Sequence, residues 1–94
     1  ARINVLNKED KLVAFYYDDC KTLYDLYKKG EQLSNNGDYL GWKPSADKPY
    51  KWLKYRQAGE MAQQLGSAFI ELGLEPSKET FVGIFARNRV EWVL

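Results

Sequence analysis

The sequence predicts an α/β architecture, and three observations carry that prediction. Ala58, Met61, Ala62, Leu65, Ala68, Phe69 and Leu72 recur at the three-and-four spacing of a helix with one buried stripe. Short β-rich stretches at Asp38–Trp42 and Lys51–Tyr55 precede that helix. A near-continuous apolar run at Phe81, Val82, Ile84 and Phe85 follows it, the pattern of a strand buried on both faces. Strands alternating with helices favour layered α/β packing, and a helix between two strands suits a right-handed crossover.

The elements follow in order. Ile3–Leu6 and Leu12–Tyr17 are apolar stretches about a charged segment, Asn7–Lys11, and are read as two extended arms joined by a turn. A helix is expected to begin at Thr22 and to run to about Leu33. Asp25 takes the capping-box position, and Leu23, Leu26, Tyr27 and Gly30 mark one face. Ser34-Asn35-Asn36-Gly37 is a turn, because Asn and Gly tolerate the left-handed backbone that other residues resist. Asp38–Trp42 and Lys51–Tyr55 then form an antiparallel hairpin around a loop, Lys43–Tyr50, holding two of the three prolines.

The long helix is placed at Arg56–Gly73, closed by Gly73, with Pro76 beyond its end. Gly59 and Gly66 weaken it by about 1 kcal/mol each relative to Ala, so a close backbone approach against a sheet is expected there. Beyond the apolar run, Asn88 suits an N-cap with Glu91 completing its box, and Val90, Trp92, Val93 and Leu94 continue that helix. Phe69, Phe81, Phe85 and Trp92 are expected in the core. The last helix has no terminator and the chain starts Ala1-Arg2-Ile3, so both ends are expected to be cut.

Composition excludes several chemistries. The 94 residues contain 14 Lys+Arg, 13 Asp+Glu and no histidine, giving a net charge of +1. A near-balanced charge gives no general attraction to nucleic acid or anionic membrane. Without histidine there is no imidazole base, and the single cysteine, Cys20, has no internal disulfide partner. No apolar run reaches the roughly 20 residues that span a bilayer, and no signal-peptide pattern is present.

Candidate sites are few. Asp18-Asp19-Cys20 does not suit a metal, because neighbours on an extended chain point to opposite sides; the two acids are better explained by the positive end of the next helix. None of Gly30, Gly37, Gly41, Gly59, Gly66, Gly73 or Gly83 belongs to a phosphate-loop pattern. Lys28, Lys29, Lys43, Lys48, Lys51, Lys54 and Arg56 mingle with Tyr50, Trp52 and Tyr55, a mixture that can serve single-stranded nucleic acid. A solvated hairpin with an aromatic inner face explains them with fewer assumptions, and no nucleic-acid partner is expected. Arg87-Asn88-Arg89 stands at the carboxyl end of the presumed strand, where open α/β sheets bind ligands. There the arginines either meet a phosphate or carboxylate, or face solvent and pair with acids such as Glu91.

Five motifs in this order resemble a known family: Thr22-Leu23-Tyr24-Asp25, Ser34-Asn35-Asn36-Gly37, Pro49-Tyr50-Lys51-Trp52-Leu53-Lys54-Tyr55, Gly66-Ser67-Ala68, and Val82-Gly83-Ile84-Phe85-Ala86-Arg87-Asn88-Arg89-Val90-Glu91-Trp92. From about Leu12 to Leu94 the chain is similar to the N-terminal part of the AMP-binding (adenylation) domain of long-chain acyl-CoA synthetases. Lys54 stands where that family usually has Ser or Thr, and Val90 where Pro is common. The resemblance implies a partial domain of the adenylate-forming superfamily, with short hairpin strands and then strand-helix-strand-helix. It implies a parent ligase that uses ATP and Mg²⁺ to convert a long-chain fatty acid to acyl-adenylate, and coenzyme A to release acyl-CoA. The family's phosphate loop, nucleotide contacts and catalytic lysine match no position here. No catalytic, cofactor-binding or metal residue is therefore assigned, and no cofactor is expected for these 94 residues alone.

The resemblance also implies a parent associated with the endoplasmic reticulum or outer mitochondrial membrane and facing the cytosol, through an apolar segment that these residues lack. The 94 residues themselves are expected to be soluble, with the remainder of the parent enzyme as partner. The alternative reading is a non-catalytic module that docks through an open sheet edge.

Overall fold

The computed structural model describes residues 14–94, in the order α1 (Leu23–Leu33), β1 (Asp38–Trp42), β2 (Lys51–Lys54), α2 (Tyr55–Glu71) and α3 (Val90–Val93). It mixes helix with a two-stranded antiparallel sheet. The expected arm at Ile3–Leu6 lies outside the described residues. Of the arm at Leu12–Tyr17, the described part, residues 14–17, forms bends and no strand.

α1 starts where its sequence dictates. The Thr22 hydroxyl accepts from the Asp25 amide at 3.1 Å, and the Asp25 carboxylate accepts from the amides of Thr22 at 2.9 Å and Lys21 at 3.0 Å. A cap of this kind typically contributes about 1 kcal/mol. The helix closes in a Schellman arrangement: Asn36 N–H reaches Glu31 C=O at 2.9 Å and Asn35 N–H reaches Gln32 C=O at 3.1 Å. Asn35 and Asn36 take φ of 51° and 58°, the left-handed values that asparagine tolerates best among residues with a side chain.

The turn feeds β1 and also caps α2. Asn36 Oδ1 accepts from the Arg56 amide at 3.0 Å, Gly37 C=O accepts from Tyr55 N–H at 3.2 Å, and Gln57 Oε1 accepts from Lys54 N–H at 3.1 Å. The first two amides of α2, which have no partner inside their own helix, are thereby satisfied. α2 closes in a second Schellman arrangement, with Leu74 N–H to Phe69 C=O at 3.0 Å and Gly73 N–H to Ile70 C=O at 2.9 Å. Gly73 sits at φ +94°, which only glycine adopts without strain.

Leu40 pairs with Leu53, Gly41 with Trp52 and Trp42 with Lys51, while the register shifts between Asp38 and Leu40. Tyr39 is the extra residue of that bulge, and its ring stacks on Tyr55 with centroids 4.4 Å apart. The Trp52 ring lies against Gly41, where an added Cβ would come within 2.6 Å of it.

Three expectations are corrected. Thr80–Phe85 is not a strand: it is irregular, with Phe81 91% and Phe85 fully exposed, so neither is in the core. A strand buried on both faces needs neighbours along both edges, and among the described residues the only sheet is the hairpin. The crossover therefore does not form. The last helix is a single turn with Arg89, not Asn88, at its N-cap. Its expected box fails because Arg89 takes the Glu91 carboxylate through two bonds of 2.7 and 2.8 Å.

Only Cys20 and Ala58 are buried among the described residues. The stripe on α2 is largely open: Met61, Leu65 and Ala68 are exposed, and Leu72 is 77% exposed. Among the described residues no helix is long and apolar enough to cross a membrane.

Candidate functional site

α1 packs closely against α2. Each helix offers a glycine to a tyrosine of the other. The Tyr55 hydroxyl sits over Gly30, where an added Cβ would lie 2.5 Å from it, and the Tyr27 hydroxyl sits over Gly59 more closely still. Tyr27 also donates its hydroxyl to Tyr55 C=O at 2.5 Å. The close approach expected at Gly59 is thus against α1 and not a sheet, whereas nothing lies within 4 Å of a Cβ built at Gly66. Tyr27 contacts Tyr39 and Tyr55 with centroids 5.6 Å away in both cases, and Tyr24 lies 6.1 Å from Tyr27. Burial pushes the Tyr27 hydroxyl pKa upward, and the Glu31 charge adds to that shift, so the phenol stays a neutral donor.

Beside these rings lies a cleft of about 570 Å³, lined by Tyr24, Tyr27, Glu31, Tyr39, Arg56 and Leu94 among others. Glu31 is its charged centre. It meets Lys28 Nζ at 2.7 Å and Arg56 Nε at 3.0 Å, joining the α1 end of the cleft to the first turn of α2. Those two cations, Lys28 first, hold its carboxyl below the usual glutamate range. A carboxylate already held between two cations is poorly placed to take a proton from a substrate. The arrangement fastens two helices and carries no evident reaction chemistry.

The sign of its pH dependence follows. A depressed folded pKa contributes stability above the unfolded value, and that contribution is lost as pH falls through the folded one. Asp25, held down by the amides of Lys21 and Thr22 and by the Thr22 hydroxyl, acts in the same direction. Acidification through and below the carboxylate range is expected to loosen α1 from α2. A far-UV circular dichroism titration should show helix lost on that limb, and less steeply in Glu31→Gln.

The other candidate residues are dispersed. Asp19 pairs with Lys29 at 2.7 Å and touches Cys20 Sγ at 3.8 Å, so it does not serve the helix terminus; Asp25 does. Burial raises the Cys20 thiol pKa, with the Asp19 charge adding to it. Among the described residues no three metal-ligating side chains converge. Lys43 lies 5.3 Å from the Tyr50 ring and Tyr50 5.9 Å from Trp52, on a hairpin whose loop is exposed throughout. Arg89 is paired with Glu91 and Arg87 is exposed; with no strand before them, they mark no sheet edge.

Sequence reasoning missed Glu31 and the capping role of Asn36. The signal for Glu31 was weak, since Lys28 lies three residues before it but Arg56 lies 25 residues away. For Asn36 the turn itself was evident, and only its reach to Arg56 was not.

No family model matches the chain, and no solved structure matches it. Curated relatives do. The chain is 44% identical over all 94 residues to long-chain-fatty-acid–CoA ligase 1 of Cavia porcellus, covering 13% of that protein. It is 42% identical over the same length to long-chain-fatty-acid–CoA ligase 5 of Rattus norvegicus, covering 14% of it. Fatty acyl-CoA synthetase A of Dictyostelium discoideum is 43% identical over 77 residues. The chain thus spans about an eighth of the length of the curated relatives it matches first. Over its whole length, this chain is a homologue of one short stretch of the long-chain fatty acid–CoA ligases.

Proposed function

We propose that these residues form a non-catalytic scaffold in the adenylation domain of a long-chain fatty acid–CoA ligase of the adenylate-forming superfamily. Such an enzyme takes a fatty acid through its acyl-adenylate to acyl-CoA, with ATP, Mg²⁺ and coenzyme A. The described residues do not fit those groups: no acids converge for a metal, and the glycines meet tyrosines, a serine or a tryptophan, or lie in open space. No step of the reaction is therefore assigned to them.

The observation that carries the reading is the uncovered apolar surface of Leu65, Ile70, Leu72, Phe81, Ile84 and Phe85, all exposed. Exposed apolar side chains mark a surface meant for contact where they adjoin, and the relatives are several times longer than the chain. The rest of the ligase, acting on a long-chain fatty acid, is the partner that fits. A free-standing docking module would use the same surface and the open edges of the hairpin, but should unfold alone in one cooperative transition.

The purified 94-residue chain is expected to form no thioester from palmitate, ATP and coenzyme A. Acyl-CoA detected by mass spectrometry above the no-enzyme background would overturn the non-catalytic assignment.

A further inference from the structure

Asn36-Gly37 is a peptide bond of the kind most prone to spontaneous deamidation, because glycine leaves the backbone nitrogen after the asparagine unshielded. We infer that Asn36 is a deamidation site that the turn between α1 and β1, tied to the start of α2, holds closed. In the reaction the Gly37 nitrogen gives up its proton and bonds to Asn36 Cγ. The Cγ–Nδ2 bond breaks, and the side-chain nitrogen leaves as ammonia with a proton from solvent. Water then opens the resulting succinimide at either carbonyl, leaving aspartate or isoaspartate.

Both reacting groups are engaged elsewhere in the fold. Gly37 N–H donates to Ser34 Oγ at 3.0 Å, and Ser34 in turn donates its hydroxyl to Gly30 C=O at 2.6 Å. The Asn36 side chain is held from the other side, its Oδ1 accepting from Arg56 N–H at 3.0 Å. Closing the ring requires that Gly37 N–H leave Ser34 Oγ and that the Asn36 side chain swing its Cγ onto that nitrogen, a movement the bond from Arg56 N–H resists. Deamidation therefore proceeds through local opening, and its rate reports how often α1 and α2 part at this turn.

The product matters to the fold. Aspartate at 36 can still accept from Arg56 N–H and sits well at a helix N-terminus. Isoaspartate adds a methylene to the backbone between the Asn36 cap and Gly37 C=O, which receives Tyr55 N–H. It cannot keep both bonds, so a chain once converted does not rebuild the start of α2.

The test incubates the 94-residue chain at mildly alkaline pH and follows deamidation by peptide mapping, with Asn88 as an exposed internal reference. Asn36 is expected to convert at least about tenfold slower in buffer than in urea, its rate rising with urea as the helical signal falls. Ser34→Ala should accelerate conversion several-fold in buffer, with Ser34→Thr restoring protection. A wild-type rate that stays flat across the urea series would overturn the proposal. So would a Ser34→Ala chain that keeps its helix signal and its slow rate.

Discussion

Replacing Phe81 and Phe85 together with aspartate is expected to leave the helix content of the 94-residue chain unchanged and to abolish its work within a ligase. Both rings are open to solvent here, at 91% and 107% of full exposure, so little packing inside the chain is lost. Surface changes of that kind usually fall within about 0.5 kcal/mol. If the same rings are buried against the rest of a ligase, each new carboxylate meets an apolar wall. Removing an unpaired charge from water costs several kcal/mol, enough to prevent docking. Circular dichroism of the chain reads the first half. Thioester formation by the Cavia porcellus ligase, changed at the two aligned positions, reads the second. Full activity there would show that the two positions face solvent in the whole enzyme.

Gly59→Ala and Gly66→Ala are expected to move stability in opposite directions, although both sit within α2. Helix propensity alone favours alanine by about 1 kcal/mol at either position. At Gly66 nothing opposes that gain, because an added Cβ meets open space. At Gly59 the new methyl group collides with the Tyr27 hydroxyl, which is fixed to Tyr55 C=O and held by rings on two sides. Overpacking of this sort costs about 1–3 kcal/mol, so Gly59→Ala should lower the helix melting midpoint while Gly66→Ala raises it. Equal gains at both positions would mean that α1 does not press on α2.

What was legible in the sequence was local. The Thr22–Asp25 box, the paired asparagines at left-handed positions, the hairpin and the α2 stripe are all specified by residues within a few positions of one another. They appear within a residue or two of where the sequence puts them. Tyr55 is the exception at a boundary, because its amide turns to Gly37 C=O and opens α2 instead of ending β2.

The misreadings share one cause. The run Phe81–Phe85 has the composition of a buried strand, and composition states what a segment needs but not what supplies it. The same holds for Leu65 and Leu72, whose stripe was correctly phased as helix and yet lies open. Asn88 and Arg89 were separable only by knowing that Arg89 would claim Glu91. The candidate cleft depended on contacts between distant residues, Glu31 with Arg56 and Tyr27 with Tyr55, which no periodicity in one chain announces.

The most direct measurement is complementation in two pieces. A Rattus norvegicus ligase 5 lacking the stretch aligned with these residues would be co-expressed with the 94-residue chain, and the pair assayed for palmitoyl-CoA formation. The scaffold account predicts a co-purifying complex with activity restored, and no activity from either piece alone. Restored activity lost again on Phe81→Asp/Phe85→Asp would place the contact on the open apolar face. A 94-residue chain that stays monomeric beside the truncated enzyme, with activity absent and its own unfolding sharply cooperative, would contradict the account.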